Sequence, residues 1–93
     1  MSVSATIDDV WTAFVATRSA NLRDELITQY APLVRFVVGR LGIPPTSLLD
    51  AEDLVGYGMI GLINAIDRFD PSRGIRFEAF ATARIRGAVI DQL

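Results

Sequence analysis

The chain has 93 residues, 51% of them hydrophobic, and a net charge of −2, which describes one small globular domain with a single core and excludes a disordered tail. Cysteine and histidine are both absent, so disulfides, thiolate metal sites and the usual proton shuttle of neutral-pH catalysis are excluded. No apolar stretch reaches the roughly 18 residues of a membrane span, and MSVSATIDDVW lacks the basic start and apolar run of a signal peptide, so a cytoplasmic protein with no membrane partner is expected.

Taken in chain order, Val10, Trp11, Phe14 and Val15 recur at helical spacing between Asp8 and Arg18 and predict a short first helix, with Thr6 or Asp8 as its cap. Ser19-Ala20-Asn21 separates it from Leu22, Leu26, Tyr30, Leu33, Val37 and Leu41, a second helical run within which Pro32 predicts a kink near residues 28 to 32. The stretch Gly42-Ile-Pro-Pro-Thr-Ser47 reads as a loop.

The next segment poses a question. Gly56-Tyr57-Gly58-Met59-Ile60-Gly61 is a literal GxGxxG, with Glu78 downstream where the dinucleotide fingerprint expects an acid. That fingerprint needs a strand before its first glycine, whereas here Asp50, Glu52 and Asp53 precede it, and a buried parallel strand does not carry three carboxylates. Asp50 with Asp53 three residues on predicts instead an N-cap and an acidic third position, a looser form of the capping box. On a helical wheel Leu54, Gly58, Gly61, Leu62, Ala65 and Phe69 then fall within one arc of about 100°, the width of a core-facing stripe. Gly58 and Gly61 are assigned to close helix packing rather than to a phosphate, and no nucleotide cofactor is expected. The opposite face carries Gly56, Ile60 and Ile63 beside Asp67, with Met59 at one margin and Tyr57 and Asn64 toward the other. A helix apolar on two sides in so small a chain points to a partner surface.

Asp70-Pro-Ser-Arg-Gly74 has the residue types of a tight turn. Phe77, Ala81, Ile85, Ala88 and Val89 line one face of a last helix that reads through to Leu93 with no stop signal, as though the sequence were a piece of a longer protein. With no strand signal and no repeat, the expected fold is all-α, a bundle of four main helices.

The acids cluster at Asp50, Glu52 and Asp53 and again at Asp67 and Asp70. Such pairs could bind Mg²⁺ or act as acid and base, but caps and a solvated helix face account for them more simply; neither a metal site nor an enzyme is expected. Charge is divided unevenly along the chain: residues 1 to 67 carry four arginines against eight acids, and residues 68 to 90 carry five arginines against Asp70 and Glu78. In this basic third Arg68, Arg73, Arg76, Arg84 and Arg86 interleave with Phe69, Phe77 and Phe80. Arginines contact phosphates and rings supply faces or pocket walls for unstacked bases, so the combination suits single-stranded nucleic acid. A core of phenylalanines under a solubilising layer of arginines accounts for the same composition.

The run from Asp53, DLVGYGMIGLINAIDRFDPSRGIRFEAFATARIRGAVIDQL, resembles the second conserved region of bacterial RNA polymerase sigma factors, and within it the alternative branch that serves flagellar and sporulation genes. Tyr30-Ala-Pro-Leu-Val-Arg35 resembles the preceding helix of that family. The resemblance implies a sigma region 2-like fold in which the glycine-bearing helix packs on the helical coiled coil of the largest subunit of core RNA polymerase, with Asp53, Leu54, Gly56, Tyr57, Met59, Ile60, Ile63 and Asn64 at that contact. It also implies that the turn and last helix recognise and melt the minus-ten promoter element by holding flipped bases of the non-template strand. Carried over by position, Phe69, Arg73, Ile75, Phe77 and Phe80 surround the flipped bases, and Ala83, Arg84, Gly87 and Ile90 face the upstream edge of the element. Arg76 and Arg86 join them on charge alone. Two departures matter: Gly56 stands where many members have a glutamine that contacts polymerase, and Ala83-Arg84 replaces a tryptophan pair of the housekeeping members. Nothing corresponds to the family's fourth region, so an incomplete factor is expected, and an anti-sigma protein is an expected further partner. The competing reading is a helical adaptor that binds only protein.

Overall fold

A computed structural model of the chain describes residues 6–44, 46 and 48–93; the amino-terminal residues of the leader reading, and Pro45 and Ser47 of the predicted loop, lie outside them. Four helices follow in order: α1 (Ile7–Thr17), α2 (Ala20–Leu41), α3 (Ala51–Arg68) and α4 (Phe77–Ile90), with a single 3₁₀ turn, Pro71–Arg73, between the last two. No strand occurs among the described residues, and the all-α expectation holds.

Most of the boundaries have a local cause. Thr6 caps α1 in a full capping box with Asp9, which satisfies two otherwise orphaned backbone donors reciprocally. The helix stops at Arg18, which adopts the left-handed conformation at φ 54°; its guanidinium lies over the Phe14 ring at 4.9 Å and donates to the Asp67 carbonyl at 3.2 Å. Ser19 then caps α2. That helix runs unbroken through Pro32 to the left-handed Gly42, so the proline is accommodated without interrupting it. Asp50 and Asp53 form the predicted box at the start of α3. Asp70 accepts from the backbone and the hydroxyl of Ser72 at 2.9 and 2.6 Å, and Gly74 closes the turn at φ 74°. One boundary differs from the sequence reading: α4 ends at Ile90 instead of continuing to Leu93, and its last residues close in a turn through Gln92 N–H to Val89 and Leu93 N–H to Ile90.

The core forms where the apolar stripes meet. All six residues of the predicted α3 stripe are buried, Phe69 as the C-cap, and Ile66 joins them. Val34 on α2 is likewise fully buried although the sequence pattern passed it over. The widest helix contact is between α3 and α4, and Gly61 explains it: a Cβ there would stand 2.5 Å from the Arg84 carbonyl oxygen and 2.8 Å from Ile85 Cα. A Cβ on Gly58 would meet Val34 Cγ1 at 2.7 Å. The GxGxxG is therefore helix interior, where backbone N–H groups are bonded to carbonyls one turn back and cannot cradle a phosphate. Gly56 differs from the other two, since nothing lies within 4 Å of a Cβ placed on it.

Candidate functional site

Trp11, Tyr30, Phe69 and Phe77 come from four separate segments and pack as one aromatic group. Trp11 lies 5.1 Å from Phe69 and 4.8 Å from Phe77 between ring centroids, and Tyr30 lies 4.4 Å from Phe77. The Trp11 indole N–H donates to the Tyr30 hydroxyl at 3.1 Å, and burial pushes the Tyr30 phenol above its ordinary range. These rings back a surface cavity of about 690 Å³, closed on one side by α1 through Ile7, Asp8 and Thr12, and on the other by Asp70 to Ser72 and Ile75 to Glu78. A volume of this size accepts a nucleobase or a similar flat group. Its rim carries Asp8, Asp70 and Glu78 against Arg76. A phosphate entering the cavity would meet carboxylates, so its chemistry suits a neutral ring with hydrogen-bonding edges.

The sequence-assigned residues divide by exposure. Phe77, 4% exposed, and Phe69 are core members; they act as the back wall of the cavity and offer no free ring face. Arg73, Ile75 and Arg76 are exposed beside it, Arg73 3.7 Å from Asp70 and Arg76 3.9 Å from Glu78. Phe80 is half-buried, 5.6 Å from Phe69, with the Arg84 guanidinium 4.7 Å over its ring. Ala83, Arg84, Arg86 and Ile90 are exposed along α4, and Gly87 is half-buried. Phe80, Arg84 and Gly87 share one side of α4, whereas Arg86, two residues beyond Arg84, lies on another side; Arg68 is exposed at the end of α3.

On α3 the second face exists. Ile60 is 64% exposed, Gly56 is exposed, and Tyr57, Ile63 and Asn64 are half-buried. Three residues assigned to this contact are committed elsewhere: Leu54 is 3% exposed and has no surface to give, Met59 packs partly against the core, and the Asp53 carboxylate accepts from the Asp50 N–H at 3.0 Å. The acids are similarly engaged. Asp67 takes a two-pronged contact from Arg23, 2.8 Å at each oxygen, and this hydrogen bonding holds its carboxyl below the ordinary range. Glu52 is held down by Arg35 in the same way, and Asp70 by Ser72. Among the described residues no three acidic side chains converge as a metal site would need.

The roles of three contributors escaped the sequence reading. Trp11 and Tyr30 register there only as core positions, because their place in a cavity wall depends on α1 packing against α2 and against the Phe69 and Phe77 rings. Asn64 registers as a margin of the partner face, yet its side-chain oxygen accepts from Arg84 at 2.6 Å. No spacing rule joins positions 64 and 84.

Fold and site together define a class: a small all-helical binding domain with an aromatic-backed cavity, an arginine-bearing helix beside it and a separate apolar helix face. The family model described as Sigma-70 region 2 matches residues 26–93, and the chain belongs to that family. It is 39% identical over 84 residues to the RNA polymerase sigma-D factor of Bacillus subtilis, which covers 90% of this chain and 33% of that protein. To the RNA polymerase sigma factor FliA of Pseudomonas aeruginosa it is 43% identical over 77 residues, 82% of this chain and 31% of the relative. To FliA of Salmonella typhimurium it is 41% identical over 71 residues, 76% and 30%. The chain therefore spans about a third of the length of these relatives. Helix α1 and the start of α2 precede the family match. Among the described residues no helix is long and apolar enough to cross a membrane.

Proposed function

We propose that this domain is the part of a transcription initiation factor that docks on core RNA polymerase and recognises and melts the minus-ten promoter element. In this reading the exposed face of α3, centred on Ile60 with Gly56, Tyr57 and Ile63, meets the coiled coil of the largest subunit. An unpaired base of the non-template strand enters the aromatic-backed cavity while the strand's phosphates run along Arg73, Arg76 and Arg84. The factor works in the cytoplasm, and its own role is binding rather than catalysis. An anti-sigma protein would act by covering the α3 face or the line along α4.

The observation that carries the reading is the juxtaposition of a ring-walled, acid-rimmed cavity with an arginine-bearing helix; Tyr30, Phe69, Phe77 and α4 lie within the segment that matches the family, and α1 adds the remaining wall from outside it. The cavity suits a base and repels a phosphate; the helix does the reverse. Single-stranded nucleic acid is a ligand that presents both groups.

The exposed Ile60, and Phe36 at 62% exposure on α2, favour a protein partner and leave a purely protein-binding adaptor as the competing reading. Fluorescence anisotropy separates the two. A minus-ten non-template strand is titrated with the chain, with and without core polymerase, at several salt concentrations. Binding that falls steeply with salt and exceeds that of the template strand supports promoter recognition. Polymerase binding without any gain in strand affinity would leave only the adaptor.

A further inference from the structure

Arg84 is fixed at three levels. Its backbone carbonyl lies against Gly61, where a Cβ would come within 2.5 Å. One amino group is bonded to the Asn64 side-chain oxygen at 2.6 Å, and the guanidinium covers the Phe80 ring at 4.7 Å. No ion pair involves Arg84 among the described residues; a neutral amide holds it, so its full positive charge remains available. An exposed arginine ordinarily samples many rotamers, and a planar guanidinium that is already laid on a ring loses less freedom when something stacks on its outer side.

We propose that Asn64 is a positioning residue for nucleic acid: it holds the Arg84 guanidinium over Phe80, so that the outer side of Arg84 forms a stacking platform for a base of the opened strand. The assignment rests on the promoter reading above and moves Asn64 from the polymerase-facing surface to the DNA-facing one. Guanidinium planes accept stacked bases as aromatic rings do. The remaining N–H donors of Arg84 stay free for the edge of the base or for the neighbouring phosphate. A contact to phosphate alone would need neither the ring beneath nor the amide beside it, because charge at a distance does not depend on the orientation of a plane.

The test compares two fluorescein-labelled DNA strands of equal length and charge, one carrying bases and one fully abasic, titrated with the full chain in the presence of core polymerase. Asn64→Ala is expected to weaken the base-bearing strand about fivefold, the lower end of a lost stacking contact, while leaving the abasic strand and the salt slope unchanged. Asn64→Gln, which keeps a neutral amide acceptor within reach of Arg84, is expected to restore part of the affinity for the base-bearing strand. Arg84→Lys keeps the charge and loses the plane, so it should reproduce the selective loss with the salt slope retained. Arg84→Lys also carries the test on an exposed side chain if Asn64→Ala lowers the melting temperature. Equal weakening of both strands, or full activity of Arg84→Lys on the base-bearing strand, would overturn the proposal and reduce Arg84 to a phosphate contact. If the unmodified chain with polymerase holds neither strand, the promoter reading falls and this assignment with it; selective loss that is absent while the unmodified chain binds overturns this assignment alone.

Discussion

At the scale of single residues, the three glycines of GYGMIG have three different fates. Each costs a helix interior about 1 kcal/mol against alanine, and only packing offsets that cost. Gly61 is offset fully: a Cβ would strike backbone atoms of Arg84 and Ile85, and backbone cannot swing aside as a side-chain tip does. Gly61→Ala is therefore expected to destabilise the domain by about 2 to 3 kcal/mol, as overpacking does. Gly56 has nothing within 4 Å of its added Cβ, so Gly56→Ala should raise stability by about 1 kcal/mol. Urea denaturation followed by circular dichroism measures both, and equal effects would refute the packing account. The wheel already separated Gly58 and Gly61 from Gly56, because angular position around a helix follows from spacing alone. What the spacing could not supply was the neighbour: that Gly61 meets α4 and Gly58 meets Val34 depends on how the helices fold together.

At the scale of elements, α2 and α3 are tied by Arg23 and Asp67, and this tie gives the domain an acid-sensitive clamp. The Asp67 carboxyl is depressed below its ordinary 3.8, first by the hydrogen bond from Arg23. A depressed carboxyl contributes stability that is fully present above its ordinary value and is lost as the pH falls through the lower folded value. Both side chains are more than a third exposed, so solvent screening limits the contribution to about 1 kcal/mol or less. Asp67→Asn is expected to lower stability by that amount near neutrality and to make the acid limb of the stability profile shallower. A share of acid sensitivity remains with Glu52 and Asp70, which are depressed in the same direction. Denaturant titrations across pH would show parallel curves for both proteins if the clamp is inert. The outer face of α3 gives a second prediction: Ile60→Glu should keep the helical circular dichroism, since the side chain lies outside the core, and should abolish polymerase binding in a pull-down with core enzyme. Element existence, type and start were legible here because caps and periodicity are local, as Asp50 and Asp53 illustrate. The end of α4 was not, since neither glycine nor proline marks Ile90 and the chain turns there without a stop residue.

At the scale of the whole molecule, the cavity exists because α1 packs beside rings supplied by α2, the end of α3 and α4, and this is the part of the site that sequence could not assemble. Phe69 and Phe77 were legible as candidates from their interleaving with arginine. Their burial behind the cavity was not, because composition reports which rings are present and not which faces are covered. The same assembly places a natural reporter at the site. The chain has one tryptophan, Trp11, which lines the cavity and touches both Phe69 and Phe77. If a base enters, the environment of the indole changes, because Trp11 lines the cavity itself, whereas a phosphate is turned away by the acids on its rim. Titrating the chain and core polymerase with the minus-ten strand should therefore change the Trp11 emission, after subtraction of the signal from a Trp11→Phe chain carried through the same titration. An abasic strand of equal charge should leave the emission unaltered even where anisotropy reports binding. Trp11→Phe keeps a ring in the wall but loses the bond to Tyr30 and part of the buried volume, a cost of about 1 to 3 kcal/mol, and its circular dichroism melt is recorded alongside to show that the control is folded. An equal change with both strands would place the emission response in a rearrangement of α1 and not in occupancy of the cavity, and the base-entry reading would fail.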